Sequence, residues 1–229
     1  PAWMFTPTLS NYWEVLFEDK VAPTLVNSII IAICTTALAV GLGTPAAYAL
    51  ARFEFRGKQD LWFWFITNRF VSPVVLAFPV FLIARETGLR DTHLALILMY
   101  LTFTLPIVIW ICTDQFRSIP RELDEAAMLE GASHFRVFRS ICLPLAMPGV
   151  AVSSILSFIF SWNELLFAYI LAPKAAKTAP AMAVTFMEGY DVPYGKIMAT
   201  STLIVVPVLI FALLASKHLV RGLTMGAVK

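Results

Sequence analysis

The residues able to do chemistry in this chain are few and far apart. Cys34, Cys112 and Cys142 lie in or beside apolar runs, too widely separated for a disulfide framework or a zinc pattern. They read as small buried hydrophobes. His93, His134 and His218 are isolated, with no Cys, Asp or Glu at metal-ligand spacing, so no metal site is expected. Gly57-Lys58 lacks both the glycine five residues upstream and the Ser/Thr after the lysine that a phosphate-binding loop needs. No nucleophile–base pair stands out, so the chain is expected neither to be an enzyme nor to hold a cofactor of its own. What remains is a pair of ionisable residues set inside long apolar stretches, Arg69 and Glu164, the latter directly after Trp162-Asn163. A charge in hydrocarbon is costly and turns toward a cavity or a partner, so both are expected to face the interior of a bundle.

The elements that must hold them are apolar and long. Of 229 residues, 59% are hydrophobic and 14% charged, against about a quarter charged in soluble domains. The mean hydropathy is +0.78. So few polar side chains cannot cover a water-exposed surface, and lipid must be the solvent for much of the chain. A net charge of +2 gives no argument for nucleic acid.

A hydrocarbon core of ~30 Å needs about 20 apolar residues per helix. Five stretches meet that length: Leu25 to Leu50, Leu61 to Ala84, Leu94 to Thr113, Leu143 to Leu171, and Ile197 to Ala215. Each contains a proline. In water an interior proline costs a helix about 3 kcal/mol. In a membrane bundle, neighbouring helices re-satisfy the freed carbonyls, and such kinks suit a pathway better than an inert anchor. The expected fold is all-α, a polytopic transmembrane bundle.

Lys and Arg in the short loops set the orientation. One set of loops holds Arg52, Arg56, Lys58, Arg117, Arg121, Arg136, Arg139, Lys217, Arg221 and Lys229; the other holds only Lys20, Arg85, Arg90, Lys174, Lys177 and Lys196. The richer set, including the C-terminus, is therefore expected in the cytoplasm. The start Pro1-Ala2-Trp3-Met4 is neither a basic signal region nor an initiator. Five crossings that begin outside imply an earlier helix, so six are expected with five in this chain. The organisation expected is an extracytoplasmic segment over 1–22, a transmembrane domain over 23–216 and a cytoplasmic tail over 217–229.

The cytoplasmic loop over 114–144 is the most patterned segment. Pro120 suits the first turn of a helix. Glu122, Asp124 and Glu125 follow near the positive end of its dipole. Gly131 can take the left-handed conformation that ends it. Ser133 can cap a second helix in which Phe135, Phe138 and Ile141 or Cys142 share a face. Two short helices meeting at a glycine suit insertion into a groove on a partner. They equally suit an amphipathic loop lying on the bilayer surface.

The run Glu125-Ala126-Ala127, three residues, Gly131, nine residues, Ile141, one residue, Leu143-Pro144 resembles the EAA loop of binding-protein-dependent ABC importer permeases at every fixed position. A chance match of seven specified residues at one site is on the order of 10⁻⁸. The rest of the chain is similar to the carbohydrate-uptake (maltose-type) subfamily, in particular its second permease subunit. That likeness is carried by Pro7 to Tyr12, Asn27-Ser28, Ala47 to Arg52, Ser161 to Glu164 and Gly222 to Lys229.

The resemblance implies a type I permease for a sugar, polyol or related glycoside in the bacterial inner membrane. Its implied partners are a second homologous permease, two cytoplasmic ATPases that hold ATP and Mg, and an extracytoplasmic solute-binding protein. It implies that Glu125, Ala126, Ala127, Gly131, Ile141, Leu143 and Pro144 form the ATPase-coupling site, and that the tail inserts between the ATPases; a frayed end is the alternative for the tail. The loop from Ala172 to Lys196, with Met187, Tyr190 and Tyr194, is implied to meet the binding protein, or is a plain connector. Arg69, Trp162, Asn163 and Glu164 are expected along the translocation pathway, with Trp162 alternatively an interfacial anchor. The other functions compatible with the chain are an ABC importer for a non-carbohydrate solute and an ion-coupled secondary carrier.

Overall fold

The structure, a computed structural model, describes residues 8–188 and 192–225; the side chains of Arg69 and of residues from 212 onward lie outside the description. Eleven helices follow one another, and no strand occurs among the described residues. A short α1 (Ser10–Trp13) runs into a π-turn and then α2 (Val21–Arg52). Next come α3 (Lys58–Thr67), α4 (Pro73–Glu86) and α5 (His93–Arg117). The loop helices α6 (Arg121–Leu129) and α7 (His134–Val137) precede α8 (Leu143–Trp162). Finally come α9 (Leu166–Leu171), α10 (Ala179–Thr185) and α11 (Tyr194–Met225).

Four helices among the described residues are long and apolar enough to cross a membrane: α2, α5, the continuous run His134–Trp162, and Tyr194–Phe211 within α11. The bundle is all-α, as expected. The expected second span, Leu61 to Ala84, is not one helix. It is α3 and α4 joined by a 3₁₀ turn over Asn68–Phe70. Pro73 opens α4, and the two residues ahead of it, Val71 and Ser72, take ψ of 123° and 125°. A residue before proline is pushed out of the helical region, and here that breaks the span. The expected fourth span also ends early, at Trp162, and resumes as α9. Pro45, Pro106, Pro148 and Pro207 are accommodated inside their helices.

At the centre α2 lies along α5, and α8 packs against both. The close approach depends on glycine. A Cβ on Gly43 would lie 2.8 Å from Val108 Cγ1, and one on Gly149 would lie 2.8 Å from Gln115 Cβ. Small residues at such crossings let backbones meet where lipid offers no hydrophobic drive. One apolar cluster, around Leu96, Tyr100, Phe167 and Leu171, fills one half of the bundle; another, around Tyr48, Phe116, Val137 and Cys142, fills the half next to the loop over 114–144. Ile29, Ile30, Ile33, Leu38 and Leu42 of α2 stay exposed, as lipid-facing residues do.

Candidate coupling and translocation sites

Each part of the loop over 114–144 has a local cause. Pro120, in an extended conformation (ψ 134°), directly precedes α6. Gly131 adopts φ +88° and ends it, where a side chain would be strained. The Gly131 N–H reaches the Met128 carbonyl at 3.0 Å, and the Ala132 N–H reaches the Ala127 carbonyl at 3.0 Å. Ser133 caps α7 by accepting the Arg136 N–H. A π-turn over Phe138–Cys142 then leads without a break into α8. The loop is therefore a rigid elbow fused to a membrane span.

The π-turn changes which residues face inward. Val137 and Cys142, five apart, are both fully buried, and Phe138 is half-buried against Tyr48 and Phe116. Phe135, expected on that same face, is exposed. Helical periodicity of 3.6 could not show this, because a π-turn adds a residue per turn.

Of the expected coupling residues, Glu125 and Ala126 lie on the exposed side of α6, beside Leu129, which is 90% exposed. Ala127 is half-buried and packs against the chain's own apolar cluster around Tyr48 and Phe116. Ile141 and Leu143 are half-buried and Pro144 is exposed; these three form the joint between elbow and span and are not part of the outward crown.

The residue that organises the elbow was not among the expected ones. Asp124, directly before Glu125, points inward and is 7% exposed. Arg52 Nε, at the end of α2, lies 2.7 Å from its Oδ2, a charge contact whose N–H is not aligned as a hydrogen bond. Arg52 Nη2 donates to the Ile119 carbonyl at 3.0 Å, and the Cys142 thiol donates to Asp124 Oδ1 at 3.1 Å. A cavity of about 190 Å³ opens beside this pair, with Arg121, Glu125, Met128 and His134 in its wall. The one available sequence signal was Arg52 closing an apolar span.

Within the membrane domain, the two helix breaks share a cavity of about 250 Å³. Asn68, Val71 and Pro73 come from the first break, Glu164 from the second, and Thr102, Phe103 and Phe160 from the helices between. Glu164 accepts the backbone N–H of Phe167 at 3.1 Å and of Ala168 at 3.2 Å, so its carboxylate starts α9. Asn68 Nδ2 donates to the Thr102 carbonyl at 2.9 Å. The Arg69 side chain lies outside the described residues.

Trp162 corrects both readings made of it. It is 1% exposed, its Nε1 donates to the Ile204 carbonyl at 3.1 Å, and its ring stacks with Phe158. It is a packing residue between α8 and α11, neither a cavity wall nor an interfacial anchor. Asn163 is exposed and donates back to the Ile159 carbonyl.

At the opposite end of the bundle, the expected loop from Ala172 to Lys196 contains α10, and its first residues are stapled down. The Asp91 carboxylate accepts the N–H groups of Lys174, Ala175 and Ala176 at 3.0, 2.9 and 3.3 Å. Burial pushes this carboxyl up, but the three N–H donors and nearby Arg90 outweigh it and hold the group below its ordinary value. Asn27 Nδ2 donates to the carbonyls of Ala175 and Lys177, its Oδ1 bonds the His93 ring, and Ser28 Oγ accepts the Ala179 N–H. Met187 and Tyr194 are exposed; Tyr190 lies outside the described residues.

Residues 39–225 match the family described as the binding-protein-dependent transport system inner membrane component. The chain is 42% identical over 227 residues to the trehalose transport system permease protein SugB of Mycobacterium tuberculosis, covering 98% of this chain and 83% of that one. It is 35% identical to the trehalose/maltose transport system permease protein MalG of Thermococcus litoralis, covering 98% and 82%. Among solved structures, a bacterial ABC transporter involved in import of the acidic polysaccharide alginate superposes with TM-score 0.74 at 22% identity, over 91% of this chain and 78% of that one. The MetNI methionine ABC transporter, in an inward-facing conformation, does so with TM-score 0.68 at 16% identity, over 94% and 99%. With its apolar spans, its EAA elbow and this match, the chain is a multi-pass membrane protein belonging to the family of binding-protein-dependent transport system inner membrane components.

Proposed function

We propose that this chain is one permease subunit of an ATP-driven importer for a sugar, most simply a disaccharide or related glycoside. It would work with a second homologous permease, two cytoplasmic ATPases and an extracytoplasmic binding protein. The observation that carries the reading is the elbow: Glu125, Ala126 and Leu129 stand exposed on a short helix that is locked at Gly131 and fused to α8. A stiff knob of that kind can enter a groove on a motor and pass its displacement into the membrane. The excess of Lys and Arg in the loops on that side supports a cytoplasmic location for the elbow and the C-terminus.

The solute class draws on relatives named for trehalose, for trehalose and maltose, and for diacetylchitobiose. The cavity at the two helix breaks is the proposed pathway wall in this subunit, with Glu164, Asn68 and Thr102 as its polar groups and Phe103 and Phe160 as apolar surface. Irregular backbone at membrane depth is tolerated where it is buried in protein or lines a water-filled cavity. Exposed Met187 and Tyr194 make the outer loop the proposed binding-protein contact.

The test is uptake of labelled disaccharides by proteoliposomes holding the full complex, with ATP inside. ATP-dependent uptake that Glu125→Lys or Gly131→Pro abolishes is the expected result. Uptake that persists without the ATPases and collapses with an ion gradient would overturn it in favour of an ion-coupled carrier.

A further inference from the structure

The coupling elbow is covalently continuous with two membrane helices, α5 before it and α8 after it. Helix α2 has no such link, yet it packs along both and reaches both faces of the bundle. Its two ends hold the elbow and the segment after α9. At the cytoplasmic end Arg52 contacts Asp124 of α6 at 2.7 Å and the Ile119 carbonyl at 3.0 Å. At the other end Asn27 holds the carbonyls of Ala175 and Lys177, each at 3.0 Å, and Ser28 holds the Ala179 N–H at 2.8 Å.

The cytoplasmic contact has the character of a tie. Apolar side chains of similar volume would fill the site at no desolvation cost, since buried ion pairs seldom out-stabilise them. What the pair adds is direction. A guanidinium fork fixes geometry, whereas an apolar contact lets surfaces slide. Asp124 is the one acidic residue of α6 turned inward; Glu122 and Glu125 are exposed. Its second oxygen takes the Cys142 thiol of the π-turn that feeds α8, so a single carboxylate joins α2, α6 and the root of α8.

The outer contact has the same character. Asn27 uses its amide nitrogen on the loop and its amide oxygen on the His93 ring at 2.8 Å, which ties the start of α5 to the same point. Asn27 and Arg52 stand 25 residues apart on α2, a rod of about 38 Å between the two grips.

We infer that α2 is a transmembrane strut, gripped by Arg52–Asp124 at the coupling elbow and by Asn27 and Ser28 at the outer loop, so that displacement of the elbow moves the loop over residues 172–179. The inference rests on the ATP-driven importer reading. In this role Arg52 and Asn27 act through the position of α2 and not by contact with solute or nucleotide.

The experiment measures solute imported per ATP hydrolysed by the complete complex in proteoliposomes, for wild type, Asp124→Asn, Asn27→Leu and the double variant. Both single variants should lower the ratio on the order of tenfold while ATPase subunits still co-purify. The double variant should be no worse than either single one, because a strut released at one end transmits nothing more to lose. A ratio that stays at the wild-type value, or losses that multiply in the double variant, overturns the strut. Should Asp124→Asn fail to assemble, Arg52→Lys keeps the charge and loses the second contact to Ile119, and must show a smaller fall in the same ratio; an unchanged ratio there also overturns it. Absence of ATP-dependent uptake in wild type would instead overturn the importer reading.

Discussion

The Asp91 carboxylate accepts the backbone N–H of Ala175 at 2.9 Å and those of Lys174 and Ala176 beside it, joining the loop ahead of α5 to the segment after α9. In return the Asp91 N–H donates to the Leu171 carbonyl at 2.8 Å. One residue, held at φ +63°, therefore ties these two segments together in both directions.

From this follows a pH dependence. The folded Asp91 carboxyl sits below its ordinary value of 3.8, so its contribution is fully present above that value. The contribution is lost as pH falls through the lower, folded value. Asp91→Asn tolerates the left-handed backbone but gives up the charge, and should cost about 1 kcal/mol at neutral pH. Thermal unfolding in detergent, followed from pH 7 downward, should show wild type and Asp91→Asn converging only in strong acid.

A second prediction concerns the α2–α5 crossing. Gly43→Ala places a methyl 2.8 Å from Val108 Cγ1, closer than real contacts allow, and should destabilise by about 1–3 kcal/mol. Adding Val108→Ala should restore much of the loss. A double variant no more stable than Gly43→Ala would mean that the crossing is not set by this pair.

The third separates the two roles of Glu164. Glu164→Ala leaves the N–H groups of Phe167 and Ala168 without their acceptor and should cost about 2 kcal/mol in stability. Glu164→Gln keeps an acceptor oxygen and should retain the fold, yet it replaces the carboxyl group on the cavity wall and should slow uptake severalfold. Equal uptake by Glu164→Gln and wild type would confine the residue to starting α9.

The fourth addresses the exposed crown. Leu129 is 90% exposed, so Leu129→Ser should leave unfolding within about 0.5 kcal/mol of wild type. An apolar anchor lost from the heart of an interface costs more than 1 kcal/mol, so ATPase retention in co-purification should fall about tenfold. Unchanged retention would place the motor elsewhere.

The amino-acid sequence by itself determined the solvent, the helical class and the elbow. Composition forces lipid burial, and the run from Pro120 to Ser133 carries its own start, stop and restart, because proline, glycine and serine act on the backbone within one turn. The left-handed Gly131 and the Ser133 cap needed no partner to be read. Tertiary structure decided what depends on rotation about a helix and on distant partners. Asp124 and Glu125 are chemically alike neighbours, but successive helical residues point about 100° apart, and only the packed position of Arg52 turns one inward and leaves the other for a partner. Trp162 looked free to reach an interface until the Ile204 carbonyl of α11 took its indole N–H. The same holds at Asn68 and Glu164, where local chemistry broke two spans but only the bundle brought both breaks to one cavity. Backbone conformation is a short-range energy, written in consecutive residues; which side chain becomes a tie, a wall or an exposed crown is a long-range one, settled when helices far apart in the chain meet.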